Sequence, residues 1–259
     1  MNEFKLTYKA PLPEEDHDND FQLCQRTIEE SLKKKTKLAV ALIDAITQRG
    51  DAVLVFSRRI QVLKTIQSQR NGILMTGEEV KDPSKRQSIV DEFQNGDCLI
   101  FYMTTQVGGV GLNLFKANRI MILDPSWNPV DDRQACFRAY RYGQTKPVTI
   151  YRFIVKNSVE ERMYRLAVHK NLAACRIVDE KDVERHFTKD QLKALDAYKD
   201  EPLKTTPDKV LNSVMHLFTS CSSHDVLFAE SISEKLTEEE LAEILYRKSF
   251  SVSRYTFKN

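Results

Sequence analysis

Apolar residues along this chain switch repeatedly between two spacings. Leu38, Leu42, Ile43 and Ile46 recur at helical intervals, and Gly50 stands where such a helix would stop. Val53 to Phe56 is a continuous apolar run of strand length, and Ile60, Leu63 and Ile66 begin another helical pattern. Ile73 to Met75 predicts a short strand that ends at Thr76-Gly77. Asp82-Pro83 then opens a helix with a capping residue and a proline in the first turn; Ile89, Val90 and Phe93 make its inner face, and Gly96 closes it. Three more buried-strand runs begin at Cys98, Arg119 and Val148. Buried strands alternating with amphipathic helices predict an α/β fold, a doubly wound parallel sheet that receives ligands beyond the carboxyl ends of its strands.

The flanks read differently. Residues 1–35 hold Pro11, Pro13, the acidic run EEDHDND and the start of a basic KKKTK, a block pattern that predicts solvated, loosely ordered chain with Lys33 to Lys35 at an exposed helix start. After the last strand, Ser158-Val-Glu-Glu161 forms a capping box, and Val159, Met163, Leu166 and Ala167 trace an amphipathic helix. Thr188-Lys-Asp-Gln191 opens another helix with Leu192 and Leu195 inward. Thr237-Glu-Glu-Glu240 caps a last one carrying Leu241, Ile244 and Leu245. A helical C-terminal appendage is expected.

Composition narrows the class. A chain of 259 residues, 41% hydrophobic and 29% charged, buries a core of ordinary size. No apolar run is long enough to span a membrane and no signal peptide opens the sequence, so a cytosolic or nuclear protein with no membrane partner is expected. The net charge of +2 means that nucleic-acid binding must come from local patches. Cys24, Cys98, Cys136, Cys175 and Cys221 lie far apart without a C-x-x-C, which argues against a disulfide framework and a zinc ribbon. His216, Cys221 and His224 lack a fourth ligand, so no metal is expected there. Asp91-Glu92 resembles a magnesium-holding pair, but mid-helix neighbours point apart and a solvated face is expected.

The chemistry concentrates between Met103 and Pro147. The strand run from Cys98 feeds into Thr104, Thr105 and then Gly108, Gly109 and Gly111, where a backbone without Cβ atoms lets N–H groups approach an anion. By themselves, three close glycines equally fit a tight strand-to-helix connection. Beyond the 119–123 strand, Gln134, Arg138 and Arg141 follow at steps of four and three, one face if the segment is helical. Two aligned guanidiniums either grip a phosphate or form a solvated basic face. Trp127 either packs in the turn after the strand or stacks near DNA.

TTQVGGVGLNL, then DPSWNP, then QACFRAYRYGQ resemble, in order and spacing, the consecutive second-lobe motifs of the SWI/SNF-type, superfamily-two, helicase-like DNA translocases. The wording is similar to the PICH-like, ATRX-like and Cockayne-type subgroups. The resemblance implies a RecA-like lobe over residues 36–156, with 1–35 a linker, 157–200 a brace and following helices, and 201–259 a helical extension. It implies that Arg138 and Arg141 are arginine fingers and that Gly109, Gly111 and Gln134 line the nucleotide cleft. Ser57 and Arg58, in LVFSRR, would touch the DNA backbone together with Thr104, Thr105 and Gln106, and Arg86 would support that contact. The family has an aspartate before Gly77 where this chain has Thr76, which leaves the role of that turn open.

No G-x-x-x-x-G-K-[ST] occurs in the chain, nor a strand followed by an acidic pair. ATP and Mg²⁺ are therefore expected only when an N-terminal RecA-like lobe completes the site, in cis or in trans. The resemblance implies the C-terminal lobe of an ATP-dependent translocase on double-stranded DNA, working on chromatin in the nucleus. The competing expectation is a non-catalytic DNA-binding or regulatory module that keeps the lobe fold; an RNA helicase lobe fits DPSWNP and the long brace less well.

Overall fold

The computed structural model describes residues 2–9, 20–77, 81–108, 111–156, 158–179, 206 and 208–223. Its elements are β1 (Asn2–Lys9), α1 (Asp20–Thr47), β2 (Val53–Ser57), α2 (Ile60–Gln67), β3 (Ile73–Met75), α3 (Pro83–Asn95), β4 (Ile100–Thr104) and the single turn α4 (Thr105–Gly108). They continue with β5 (Arg119–Ile122), α5 (Pro129–Cys136), β6 (Thr149–Lys156), α6 (Val159–Asp179), α7 (Lys209–Val214) and β7 (Ser220–Ser223). The strands form one sheet in the order β3-β4-β2-β5-β6-β1-β7. All pairings are parallel except that of β1 with β7.

Strand alternation builds a core on each face. Val53 and Val55 of β2 join Tyr102 and Met121 under α1, α2 and α7. Leu54 and Phe56 join Phe101, Met103, Ile120 and Ile122 under α3, α4 and α5. Period-two side chains with both faces covered produce the near-continuous apolar runs seen in the sequence. The expected doubly wound α/β sheet is the fold found. Asp82 caps α3 by accepting from the backbone N–H of Ser84 at 3.0 Å, with Pro83 as the first helical residue. Asp91 and Glu92 both lie on the exposed side of that helix.

Two expectations are corrected at the flanks. Residues 2–9 are not solvated chain but an interior strand between β6 and β7. Phe4, Leu6 and Tyr8 enter the core on one face, while Glu3, Lys5 and Thr7 are buried on the other. Those polar side chains have partners: Glu3 pairs with Arg152, and Lys5 lies 4.0 Å from Glu161 and 5.2 Å from the Tyr164 ring centre. Paired charges tolerate burial that lone ones do not. Lys35, expected at an exposed helix start, is 3% exposed.

At the other end, residues 208–223 complete the sheet rather than forming a separate helical unit. Val210, Leu211, Val214, Phe218 and Cys221 belong to the same core as α1. The expected helices at Thr188–Gln191 and Thr237–Glu240, and His224, lie outside the described residues. Among the described residues no helix is long and apolar enough to cross a membrane, and no cluster of three metal-ligating side chains occurs.

Candidate functional site

β2 is followed by α2 on one face of the sheet and β5 by α5 on the other, so the chain departs in opposite directions at their adjacent carboxyl ends. Such a divergence opens a crevice. A cleft of about 480 Å³ lies there, lined by Arg58, Arg59, Thr105, Asp124, Ser126 and Glu160 among others. Ser57, at the end of β2, is 1% exposed, and its hydroxyl donates to Asp124 while accepting from the Arg59 N–H at 3.1 Å. Arg58 is exposed, and its backbone N–H donates to the same Asp124 carboxylate at 3.3 Å. Asp124 is therefore the post around which the Ser57–Arg58 turn is wound. Thr104 is half-buried; Thr105, 5% exposed, has a hydroxyl oxygen buried without a hydrogen-bond partner.

The second expected group sits on the face covered by α5. The helix ends at Cys136, with Phe137 as its C-cap, so Gln134, Arg138 and Arg141 do not share one helical face as the spacing had suggested. Gln134 and Arg141 are exposed, whereas Arg138, in the turn beyond the helix, is 6% exposed. The helix stops because Phe137, Arg138 and Ala139 settle into tight turns that bury Ala139 and seat the segment after α4. The Arg138 carbonyl accepts from the Leu114 N–H at 3.0 Å, Gln144 Nε2 donates to the Phe115 and Ala117 carbonyls at 2.8 Å, and the Arg141 guanidinium donates to Asn113 Oδ1. Gly111, at φ +59°, takes the left-handed turn that starts this segment. Burial first, and the neighbouring Arg141 charge second, lower the Arg138 pKa. Phe115, Phe137, Tyr140 and Tyr142, in the same two segments, have exposed rings, Tyr142 at 92%.

The structure thus assembles the expected residues into two groups, joined where α4, which begins at Thr105, packs on α5. Gly109 and the Gln106 side chain lie outside the described positions. Arg86 is half-buried on α3, and its backbone N–H donates to the Asp82 carbonyl at 2.9 Å. Trp127 is 45% exposed, with its carbonyl accepting from Lys170 Nζ at 2.9 Å. Sequence reasoning missed Asp124, Asn113 and Lys35. The Asp-Pro after the 119–123 strand was legible as a turn; that its carboxylate organises the β2 end depends on sheet order and has no local signal.

Comparison with known proteins matches residues 34–143 to the family described as the helicase conserved C-terminal domain. The chain is 31% identical over 274 residues to the transcriptional regulator ATRX homolog of Caenorhabditis elegans, covering 88% of this chain and 19% of that protein. It is 35% identical over 190 residues to the DNA repair and recombination protein RAD54-like of Drosophila persimilis, covering 71% and 24%. It is 37% identical over 182 residues to protein CHROMATIN REMODELING 24 of Arabidopsis thaliana, covering 68% and 16%. The chain spans no more than 24% of the length of these relatives.

Proposed function

This chain belongs to the SWI/SNF-type branch of the superfamily-two helicases, as a C-terminal RecA-like lobe, and from that membership we propose that it is the second half of an ATP-dependent translocase on double-stranded DNA. The carrying observation is the turn that holds Arg138 and Arg141 against the segment after α4, through Leu114 N–H to the Arg138 carbonyl and Arg141 to Asn113, in a chain whose sequence has no phosphate cradle. Such a surface suits a partner that brings a bound triphosphate to it.

In this reading the first lobe holds ATP and Mg²⁺. When bound, the nucleotide supplies the phosphoryl group to be transferred. Arg141, exposed and steered by Asn113, reaches the developing charge as an arginine finger, and Arg138 sustains the positive field from below. Gly109, Gly111 and Gln134 are the nucleotide-binding residues of the same reading. Asp91 and Glu92 are exposed on α3, away from this role.

The cleft at the β2 and β5 ends is the DNA contact. Arg58 presents its guanidinium to a backbone phosphate, Thr104 and Thr105 offer further donors, Gln106 is assigned to the same contact by its place in the family motif, Trp127 lies at the margin, and the buried Ser57 holds the turn instead of reaching out. The relatives named for transcription, repair and chromatin remodelling support a nuclear, chromatin-bound setting.

Phosphate release with duplex DNA and ATP tests the proposal. The chain alone is expected to be inactive, and a first lobe supplied in trans or by fusion is expected to restore DNA-stimulated hydrolysis. Hydrolysis by the chain alone overturns the division of labour; binding of DNA with no restored turnover favours the regulatory module.

A further inference from the structure

Lys35 is a buried cation without a place in the chemistry so far described. It rises from α1, and its Nζ donates to Asp124 Oδ1 at 2.7 Å and to Glu160 Oε1 at 2.6 Å, with 4% of the side chain exposed. Asp124 uses its other oxygen for the Ser57 hydroxyl and the Arg58 N–H. Glu160, in the first turn of α6, uses its other oxygen for the Val155 N–H at 3.1 Å. Asp124 and Glu160 both line the cleft that Arg58 and Arg59 face. One ammonium thus ties together α1, the end of β5 and the start of α6, and through Asp124 the end of β2.

Two carboxylates in the wall of a cleft that is to receive a phosphate would repel it. Lys35 leaves that pair with one net negative charge, so that with Asp131 across the cleft the carboxylates carry two, which Arg58 and Arg59 balance. Burial would push the Asp124 carboxyl up, yet Lys35 and the bonds from Ser57 and the Arg58 N–H hold it below the ordinary carboxylate range. Among the described residues, Tyr8, at the end of β1, whose hydroxyl burial pushes up with help from Glu160 and Asp124, and Asp131 across the cleft also face this spot.

We propose that Lys35 is a positioning residue for DNA: it neutralises the acidic wall of the cleft and orients Asp124 so that the Ser57–Arg58 turn presents its guanidinium outward. This rests on reading the cleft as the duplex contact. It adds that the affinity of the contact is set from α1, by a residue that touches no phosphate.

The test is fluorescence anisotropy of a labelled DNA duplex with the full chain, with circular dichroism as the fold control. Arg58→Ala examines the underlying reading, and unchanged binding there overturns the cleft assignment and this inference with it. Lys35→Met is expected to weaken binding on the order of tenfold at pH 7.5. Its affinity is expected to recover as pH falls toward 5.5, where the buried and uncompensated Asp124 carboxyl takes up a proton, and to recover at pH 7.5 when Asp124→Asn is added. The parent chain is expected to show neither gain. If Lys35→Met does not fold, the comparison moves to Lys35→Met/Glu160→Gln with and without Asp124→Asn, and the triple variant is expected to bind more tightly. Weakened binding in Arg58→Ala with unchanged binding in Lys35→Met, or a loss that neither low pH nor Asp124→Asn reverses, overturns the proposal.

Discussion

The backbone N–H of Leu114 donates to the carbonyl of Arg138 at 3.0 Å. Through this bond the segment that follows the glycine turn and the turn that carries the arginines become one surface. Leu114 is fully buried beneath it, so the position of the guanidiniums depends on the core and not on α5 alone.

The two arginines are therefore expected to separate on mutation. Arg141→Ala, with a first lobe supplied, should lower DNA-stimulated turnover by about 10³ while leaving DNA binding and the urea midpoint near those of the parent, because the side chain is exposed. Arg138→Ala should lose turnover and also about 1–3 kcal/mol of stability, since it empties a buried position. Phosphate release and urea unfolding, run in parallel, check both.

Leu6 tests the place of β1. It is fully buried between β6 and β7, so Leu6→Ala should cost about 2–5 kcal/mol in urea unfolding. A cost under about 0.5 kcal/mol, the range of surface changes, would return the segment to the solvent.

Asp82 offers a local test. Its side chain accepts from Ser84 N and Lys85 N at the start of α3, so Asp82→Ala should cost about 1 kcal/mol, with Asp82→Ser largely restoring it. Denaturant titration of the three proteins measures this.

Acid stability should report Asp124. Its pKa is lowered in the folded state, so its contribution is complete above the ordinary carboxylate range and is lost as pH falls through the lowered value, below about pH 4. In Lys35→Met, burial without the ammonium should raise that pKa, and the sign reverses: stability relative to the parent improves as pH falls from 7 toward 5. Melting temperatures between pH 3 and 7 distinguish the two slopes.

What could be read ahead of the structure follows from how far each signal travels along the chain. Val53 to Phe56, Ile73 to Met75 and the cap at Asp82-Pro83 are local: a buried run or a capping side chain meets its requirement within a few residues, and each appears where expected. β1 was missed for the opposite reason. Its alternation of Phe4, Leu6 and Tyr8 with Glu3, Lys5 and Thr7 resembles an exposed edge, and partners far along the chain, Arg152, Glu161 and Ser220 among them, make burial of the second face tolerable.

The stretch from Met103 to Pro147 shows the same division within one motif. The order and spacing of its residues were enough to mark a second RecA-like lobe by resemblance, and the family match agrees. Which arginine is buried, why α5 stops at Cys136, and that Asp124 and Lys35 hold the Ser57–Arg58 turn were decided by the tertiary structure. Those outcomes depend on sheet order and on charges meeting across more than a hundred residues in the case of Lys35 and Glu160, and no pattern along the chain encodes such a meeting.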